Sequence, residues 1–364
     1  MSVPPRVLIL AADVGESHVR MARVLAGQLT GADPVCDPYV VDDFGVLGGA
    51  LTRTVYRSAR FHMVRLRLSY RVAYRLSMDI SPVRSACLAG LARLGASTLL
   101  RSVIASRPDV VVSTYPLMTA VLGHLRGRGM LNVPVCAVVS PLGGLHFWVH
   151  PGVDRHLVLY EQAIDDVNRI AGRDSAVHVR PLVAEPFFQE LSRADARSRL
   201  GLPAEGTVAL VSGGGWGVGD LAGAIEETRA AGAGTVVIVT GRGVEARRVL
   251  EQRYGGCPDV RVLGLTEQMN ELLAAADVFV TASVGLSCFE ARLRGCPVIC
   301  YGFDIAHVRD NSAALARHRL ARSVRSRRDL AVAVETALAA ARPPALDTSR
   351  LPTAAGVVAG LAAG

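Results

Sequence analysis

Residues 277–304, DVFVTASVGLSCFEARLRGCPVICYGFD, constrain the fold more than any other part of the sequence. The stretch holds two short apolar runs, VFV and PVIC, of the kind that buried parallel strands contain. Between them lie a turn of small residues at 283–287 and a helical stretch that ends at Gly295, just before Pro297. Glycine after the last helical turn and proline shortly beyond it are typical helix stop signals. The stretch is therefore predicted to form a strand, a glycine turn, a helix and a second strand.

In such a unit, the turn and the start of the helix face the carboxyl edge of a parallel sheet. Open α/β sheets bind ligands at that edge, and free backbone N–H groups at a helix start attract phosphate. Glu290 lies one turn into the predicted helix, close enough to hydrogen-bond the hydroxyls of a sugar beside that phosphate. An ordinary crossover helix with a partly exposed glutamate explains the same residues equally well.

The alternation of apolar strands and helices continues along the whole chain. In the first half, strands are predicted at 6–12, 38–41, 109–113, 133–139 and 155–159, and helices at 18–29, 85–105, 117–126 and 161–171. After a proline-rich connector at 178–195, strands are predicted at 207–212, 235–240 and 260–263, and helices at 220–230, 246–254 and 268–275. This order is typical of doubly wound parallel sheets, so the fold class is α/β with two similar sheets.

Arginine supplies all 40 basic residues, and the sequence has no lysine. A Walker A loop and Schiff-base chemistry both need lysine and are therefore excluded. Between residues 51 and 107, 11 arginines stand against one acid, Asp79. Residues 51–74 mix apolar side chains with arginines such as Arg60, Arg65 and Arg67, as in a basic helix lying on an anionic membrane surface. A solvated helix whose arginines pair with acids elsewhere is the alternative.

The cysteines and the apolar runs indicate the compartment. The seven cysteines form no CxxC pair and have no histidine pair nearby, so buried free thiols are expected rather than a metal site. The apolar run at the N-terminus is too short for a secretory signal, and no later stretch is long and uncharged enough to cross a bilayer. These features favour a cytoplasmic protein.

Two further features could carry chemistry. His18 is predicted at a helix start above the end of the first strand, where a histidine can act as a general base or merely cap the helix. Gly213, Gly214 and Gly215 open a glycine run whose backbone N–H groups could wrap a phosphate or a sugar. The run lacks the GxGxxG spacing at a first strand and an acidic partner about 20 residues on, so a dinucleotide fold is disfavoured.

The order of these parts resembles the two-domain GT-B glycosyltransferases. Within them it is most similar to the monogalactosyldiacylglycerol synthases, the processive diacylglycerol glucosyltransferases and the peptidoglycan lipid-intermediate N-acetylglucosaminyltransferase. The first-half motifs of that family match DVGESH at 13–18 and SPLGGLHFW at 140–148. Its second-half motifs match GGG at 213–215, LGLTEQM at 263–269, GLSCFEA at 285–291, GCP at 295–297 and, more loosely, Asn311.

This resemblance implies two Rossmann-like domains facing a cleft. They would be an acceptor and membrane-facing domain at 1–180, a linker at 181–205 and a donor domain at 206–364 whose last helix can cross back. The implied reaction is an inverting transfer of a hexose from a UDP-sugar to a lipid hydroxyl such as diacylglycerol, with His18 as the base and no cofactor or metal. The implied donor contacts are Gly213, Gly214, Gly215, Arg242, Leu265, Thr266, Met269, Gly285, Leu286, Ser287, Glu290 and Asn311.

The implied acceptor and membrane contacts are Arg60, Arg65, Arg67, His146 and Trp148. The expected partners are a UDP-sugar, a lipid acceptor and the anionic inner face of the plasma membrane, where the protein would be peripheral; nucleic acid is not expected. Helix N-termini after Gly213 and Ser287 are expected to stabilise the leaving UDP, with help from Arg242.

The first half departs from the family pattern, since Glu16 and Ser17 replace two glycines and Pro141 replaces an aspartate. Three alternatives therefore stay open. They are transfer to a soluble acceptor such as a natural product, a protein that has lost transfer and only binds nucleotide-sugar or partners, and a nucleotide-sugar 2-epimerase of the same fold. The basic apolar segment argues against the soluble acceptor, and missing acidic catalytic residues argue against the epimerase.

Overall fold

The computed structural model describes residues 4–12, 16–32, 35–41, 72, 74–76 and 81–363. Arg60, Arg65 and Arg67 lie outside the described residues, as does the 13–15 turn, so a membrane-binding helix at 51–74 stays a prediction. The chain divides into two compact units. The first consists of Met1–Leu182, Ile305–His307 and Thr348–Gly364, and the second of Val183–Asp304 and Val308–Asp347.

The first unit is built on a parallel sheet. Its strands are β1 (Arg6–Leu10), β2 (Asp37–Val41), β3 (Val110–Ser113), β4 (Val135–Val139), β5 (Arg155–Val158) and β6 (Ala176–His178). They lie in the order β2-β1-β3-β4-β5-β6, and every neighbouring pair is parallel. The central strands β3 and β4 are buried along their whole length, which explains their uninterrupted apolar sequences.

Helices cover this sheet. They are α1 (Ser17–Thr30), α2 (Ser81–Ser106), α3 (Pro116–Gly127), α4 (Ile164–Ala171) and, from the end of the chain, the last helix of the fold at Ala354–Ala362. One core cluster joins Leu8 and Leu10 of β1 to Leu99 of α2 and to Met118 and Leu122 of α3. The C-terminal helix contacts α1 and β3, so the end of the chain belongs to the first unit.

The second unit has a parallel sheet of its own. Its strands are β7 (Val208–Ser212), β8 (Thr235–Val239), β9 (Val260–Leu263), β10 (Val278–Thr281), β11 (Val298–Cys300) and β12 (Arg322–Ser323), in the order β12-β11-β10-β7-β8-β9. Its helices are α5 (Arg193–Leu200), α6 (Leu221–Ala230), α7 (Val244–Tyr254), α8 (Met269–Ala275), α9 (Leu286–Leu293), α10 (Ala306–Arg317) from Val308 onward, and α11 (Arg327–Ala339). The C-terminal helix is then α12.

Arg197 fastens α5 to the second unit. Its side chain is only 2% exposed, and its Nη2 donates to Asp277 Oδ2 at 2.8 Å. The same Asp277 oxygen accepts from the backbone N–H of Val208 at 2.8 Å, and Arg197 Nη1 donates to the carbonyls of Ala204 and Gly206. The α5 helix is thus anchored to the starts of β7 and β10.

The predicted α/β fold with two parallel sheets is confirmed. Strands β6 and β12, with three and two residues, were not predicted, because so few residues carry no periodic pattern. The proline-rich stretch predicted as a connector contains the last residue of β6 and the start of α5. Among the helices within the described ranges, none has both the length and the apolar character that a membrane span requires.

Candidate active site

The strand order of the first sheet creates a crevice at the carboxyl ends of β1 and β3. The chain passes from β1 to β2 on one side and then returns to place β3 on the other side of β1. Ligands of open α/β sheets bind where the strand order reverses in this way. His18 follows β1 and Thr114 follows β3, so both residues lie at this point.

His18 is held by Thr114 in a defined tautomer. Its Nδ1 lies 2.8 Å from the carbonyl oxygen of Thr114, and the Thr114 hydroxyl donates to the carbonyl of His18 at 3.0 Å. Because a carbonyl oxygen can only accept, Nδ1 carries the proton and Nε2 keeps its lone pair. The imidazole is therefore oriented to accept a proton at Nε2.

Burial keeps this imidazole neutral. It lowers the pKa of His18 to about 4, against a smaller upward effect of the hydrogen bond to Thr114. Near neutral pH the ring is uncharged, which is the state that a general base needs before reaction. The sequence singled out His18 but not Thr114, whose position directly after an apolar strand was the available signal.

Aromatic rings flank His18. Tyr115 meets it edge-on with ring centroids 5.1 Å apart, and Trp148 lies at 5.5 Å. Trp148 follows a 3-10 turn at Leu145–Phe147 in the loop after β4, so the structure brings His18 and Trp148 together. His146 belongs to the same turn, and burial lowers its pKa, as do Arg84 and Arg169 to a smaller extent.

The structure shows where the three residues that depart from the family pattern lie. Glu16 is the N-cap residue of α1, where its side chain makes no capping hydrogen bond, and Ser17 is the first residue of that helix. Pro141 is buried at the start of the loop after β4. Since proline carries neither a carboxylate nor an N–H group, this position supplies no acid to the crevice.

A second crevice lies in the second unit between the carboxyl ends of β7 and β10. The chain runs from β7 to β8 and β9 on one side, and β10 then pairs with β7 on the other, with Thr281 opposite Ser212. Residues 213–219, the glycine loop, follow β7, and the 283–287 turn follows β10. The strand order therefore brings these two distant segments together. This is the point at which phosphate ligands bind in such sheets.

Two glycines at this crevice, Gly214 and Gly241, are packed too closely to carry a side chain. Gly214 has φ +65°, and a Cβ there would lie 2.4 Å from Ser283 Cβ. Gly241 has φ +58°, and its Cβ would lie 2.4 Å from the carbonyl oxygen of Gly214. The neighbouring Arg242 donates its backbone N–H to Gly215 O at 2.8 Å, while its side chain is exposed. Glycine is therefore required at Gly214 and Gly241 by both conformation and space.

The N-termini of α6 and α9 differ in whether a side chain caps them. At α6, the side chain of Asp220 accepts from Gly223 N–H at 3.0 Å, and the Tyr301 hydroxyl donates to the same carboxylate at 2.8 Å. This hydrogen bond and burial raise the pKa of Tyr301 to about 12, burial being the larger cause. At α9, the N-cap residue Gly285 offers no capping side chain. The α9 N-terminus thus leaves room for an anion, whereas the α6 N-terminus already holds a carboxylate.

This corrects one expectation from the sequence. A 3-10 turn at Gly214–Trp216 follows Gly213, and α6 begins only at Leu221 behind its Asp220 cap. The helix expected after Gly213 thus begins where it was predicted, but the Asp220 carboxylate caps its N-terminus and makes that end less favourable for a second anion. In the loop itself, Gly213 donates its N–H to the carbonyl of Val239 at 3.0 Å and Gly214 donates its N–H to Ser212 Oγ at 3.1 Å, so neither group is open to a ligand.

The remaining predicted donor contacts lie in different environments. Asn311 of α10 donates its Nδ2 to the carbonyl of Val284 at 2.8 Å and so holds the turn before α9. Glu290 lies in α9 and is only 1% exposed. Leu265 is 59% exposed, and the Thr266 hydroxyl accepts from Gln268 N–H at 3.1 Å.

Other features limit the chemistry. Met269 is buried as the first residue of α8, so its side chain belongs to the core. Leu286 is buried at the start of α9 beside the partly exposed Ser287. Across the part of the chain that the structure describes, no group of three or more His, Cys, Asp or Glu side chains is arranged to hold a metal.

Two family models match the chain. Residues 38–180 match the model for monogalactosyldiacylglycerol synthase, and residues 210–339 match the model for glycosyl transferases group 1. The first match covers the β2–β6 part of the first unit, and the second covers the glycine loop and the 283–287 turn.

Curated relatives carry related names. A probable chloroplastic monogalactosyldiacylglycerol synthase 2 from Oryza sativa subsp. indica is 28% identical over 340 residues, which are 85% of this chain and 70% of the relative. A processive diacylglycerol beta-glucosyltransferase from Staphylococcus epidermidis is 25% identical over 211 residues, covering 56% of this chain and 53% of the relative. One from Bacillus pumilus is 23% identical over 306 residues, 83% of this chain and 78% of the relative.

Solved structures share the fold. The kitacinnamycin glycotransferase has a TM-score of 0.55 at 16% identity, covering 100% of this chain and 94% of its own. TcCGT1 in complex with UDP has a TM-score of 0.54 at 14% identity, covering 99% and 93%. Acinetobacter baumannii MurG has a TM-score of 0.51 at 16% identity, covering 94% and 97%.

Proposed function

We propose that this chain, a glycosyltransferase of the GT-B fold that resembles the monogalactosyldiacylglycerol synthases and processive diacylglycerol glucosyltransferases, transfers a hexose from a UDP-sugar to a lipid hydroxyl such as that of diacylglycerol. The observation that carries the proposal is the neutral, oriented imidazole of His18 at the crevice of the first sheet. The names of the relatives support a lipid as the acceptor, and the UDP bound to a structural neighbour supports a UDP-sugar as the donor.

On the acceptor side, Nε2 of His18 takes the hydroxyl proton as the oxygen attacks the anomeric carbon. The new C–O bond forms on the face opposite the leaving UDP, so the anomeric centre inverts in a single displacement. The hydrogen bond from Nδ1 to Thr114 fixes the ring and favours the imidazolium that forms. Trp148, beside His18, offers an apolar surface to the acceptor.

On the donor side, the two negative charges of the departing UDP need preorganised positive partners. The open N-terminus of α9 supplies backbone N–H groups there, and the glycine loop adds more. Glu290 is assigned to the hydroxyls of the ribose or sugar, and Asn311 supports the turn that carries the α9 N-terminus. Arg242 is exposed, and its backbone N–H donates to the carbonyl of Gly215, so its guanidinium is assigned to assist at the diphosphate.

A lipid acceptor requires the protein to work at a membrane surface. We assign it a peripheral place on the cytoplasmic face of an anionic membrane, supported by the arginine-rich composition of residues 51–107. No cofactor or metal is assigned, because the N-terminus of α9 and the glycine loop are assigned to stabilise the negative charges of the departing UDP.

A soluble acceptor is the second candidate. The observation that favours it is the likeness in fold to the kitacinnamycin glycotransferase. Loss of transfer with retention of nucleotide-sugar binding is the third, favoured by Glu16, Ser17 and Pro141 in place of the family's glycines and aspartate.

The test uses the purified full chain with UDP-glucose, UDP-galactose and UDP-N-acetylglucosamine, each with and without vesicles that contain diacylglycerol. Release of UDP is expected to require both one of these donors and the lipid, and to vanish in His18→Ala. His318→Ala, at an exposed histidine on the second unit, is the matched control and should keep full activity. Donor binding without turnover for every acceptor would replace the proposal with a binding protein.

The pH dependence adds a second test of the base. Because the pKa of His18 is lowered to about 4, kcat/KM is expected to stay high well below pH 6.5. A drop centred on the ordinary histidine pKa would mean that a different, exposed group is titrating.

A further inference from the structure

An open pocket of about 760 Å³ lies in the second unit, at the sheet edge formed by β12. The end of α10, the strand β12 and the start of α11 form its walls. It is lined by Ala313, Ala316, Arg317, Arg322, Ser323, Val324, Arg325, Arg328, Asp329 and Val332. No residue assigned to the donor or acceptor site belongs to this lining.

Four arginines line this pocket, and none of them has an acidic partner in the part of the chain that the structure describes. Residues 317–328 contain six arginines and no aspartate or glutamate. Arg317, Arg322, Arg325 and Arg328 are exposed, and within the described part of the second unit none of them forms an ion pair. The neighbouring Arg327 differs from these four, because it forms ion pairs with Asp220 and Glu226.

The one acid in the lining, Asp329, offsets only one of these four positive charges. The carboxylate of Asp329 accepts a hydrogen bond from the Ser326 hydroxyl at 2.7 Å, and its backbone N–H is capped by the same side chain. Four guanidinium groups without an ion-pair partner among the described residues repel one another around one concavity, and a bound anion relieves that repulsion. Arginine presents paired N–H groups that match phosphate oxygens, so phosphate is the ligand chemistry that fits.

The rest of the lining distinguishes among phosphate ligands. Val332 is 49% exposed, and Val324, Ala313 and Ala316 add further apolar surface between the arginines. The lining has no aromatic ring to stack on a base and no amide side chain to recognise one, which a nucleotide or single-stranded nucleic acid site would use. A shallow surface of arginines with small apolar residues instead suits phospholipid headgroups at a bilayer.

We propose that this arginine pocket binds the phosphate headgroups of anionic phospholipids and gives the second unit its own contact with the membrane. The choice of a bilayer as the source of phosphate rests on the proposed function. The pocket lies at the β12 edge, two strands away from the β7–β10 crevice, so donor binding does not depend on it.

The test is sedimentation of the full chain with vesicles of phosphatidylcholine alone, and of phosphatidylcholine and phosphatidylglycerol in equal parts. The variant is Arg322→Gln with Arg325→Gln. The matched control is Arg199→Gln with Arg319→Gln, which removes the same two charges from exposed arginines outside the pocket. Affinity for the anionic vesicles is expected to fall about fivefold for each pocket arginine removed and thus about 25-fold for the pair, with a much smaller fall in the control.

Three results would overturn the proposal. They are failure of the wild-type chain to bind the anionic vesicles, no loss in the pocket variant, and an equal loss in the control, which would mean that net charge alone drives binding. Inorganic phosphate is the second probe, titrated calorimetrically without lipid. Binding of phosphate that is lost in the pocket variant and unaffected by vesicles would assign the pocket to a soluble ligand instead.

The vesicle assay needs no turnover, so its outcome is separate from that of the proposed function. UDP affinity is measured on the same variants and is expected to be unchanged in both. If the chain binds vesicles through these arginines but transfers no sugar to lipid, the pocket assignment stands and the proposed function fails. If the wild-type chain transfers sugar to lipid while the pocket variant binds vesicles normally, the proposed function stands and the pocket assignment fails.

Discussion

Replacing Gly214 with alanine tests the packing on which the proposed donor site depends. The new Cβ would lie 2.4 Å from Ser283 Cβ and 2.7 Å from Ser283 Oγ. Ser283 cannot move away easily, because its N–H and C=O are both hydrogen-bonded to the hydroxyl of buried Thr281. The overlap must therefore be relieved by displacing the glycine loop from the 283–287 turn.

The expected loss of stability has two parts. A non-glycine residue at φ +65° costs about 1 kcal/mol, and overpacking against a fixed neighbour adds about 1–3 kcal/mol. Gly201→Ala isolates the first part, because Gly201 has φ +59° and a Cβ there meets nothing within 4 Å. We expect a loss of about 1 kcal/mol for Gly201→Ala and about 3 kcal/mol for Gly214→Ala.

A double-mutant cycle separates overlap from conformation. Ser283→Gly removes the atoms that the new Cβ would meet, so the Gly214→Ala/Ser283→Gly variant is expected to recover about 2 kcal/mol relative to additivity. Unfolding in urea is followed through the fluorescence of Trp216, which lies in the glycine loop, in a Trp148→Phe background. UDP affinity, measured by calorimetry, is expected to fall at least about tenfold for Gly214→Ala and to be unchanged for Gly201→Ala.

Equal losses of stability for Gly201→Ala and Gly214→Ala would refute the reasoning, since the close approach to Ser283 would then carry no energy. An additive double variant would lead to the same conclusion. A normal UDP affinity in Gly214→Ala would separate the loop from donor binding and remove it from the proposed site.

Three further predictions concern single side chains. His156 is fully buried, and its Nε2 accepts a hydrogen bond from the backbone N–H of His150. Burial lowers the pKa of His156 to about 3 in the folded state, so as pH falls below 6.5 only the unfolded state takes up a proton at this residue. His156 should account for about 2 kcal/mol of the stability lost between about pH 8 and about pH 5, so the loss should be smaller in His156→Asn; an equal loss in both would contradict this. Arg197→Met should cost about 3–5 kcal/mol in urea unfolding because it leaves Asp277 without its buried partner, whereas Arg199→Met, at an exposed position, should cost under about 0.5 kcal/mol. Asn311→Ala should cost about 1 kcal/mol and weaken UDP binding by releasing Val284, and an unaltered UDP affinity would count against its supporting role.

The expected placement of His18 at a helix start after the first strand agrees with the structure, since α1 begins at Ser17. Its protonation state could not be inferred in the same way. The partner that fixes the tautomer, Thr114, is 96 residues away and meets His18 only because β3 pairs with β1. Likewise, the glycine run after β7 was a weak signal until Ser283, which excludes a side chain at Gly214, could be placed beside it.

The sequence by itself determined the strand and helix alternation, the two-sheet α/β fold and the motifs of a glycosyltransferase family, because apolar periodicity and turn residues act over a few neighbouring positions. Only the tertiary structure decided which strand ends meet, because sheet order depends on hydrogen bonds between distant segments. That order brings 213–215 to 283–287, and the tertiary fold also places the Tyr301 hydroxyl on the Asp220 carboxylate, 81 residues away along the chain. It also places four of the six arginines in residues 317–328 around one pocket at the β12 edge and turns Arg327 to Asp220 and Glu226 instead.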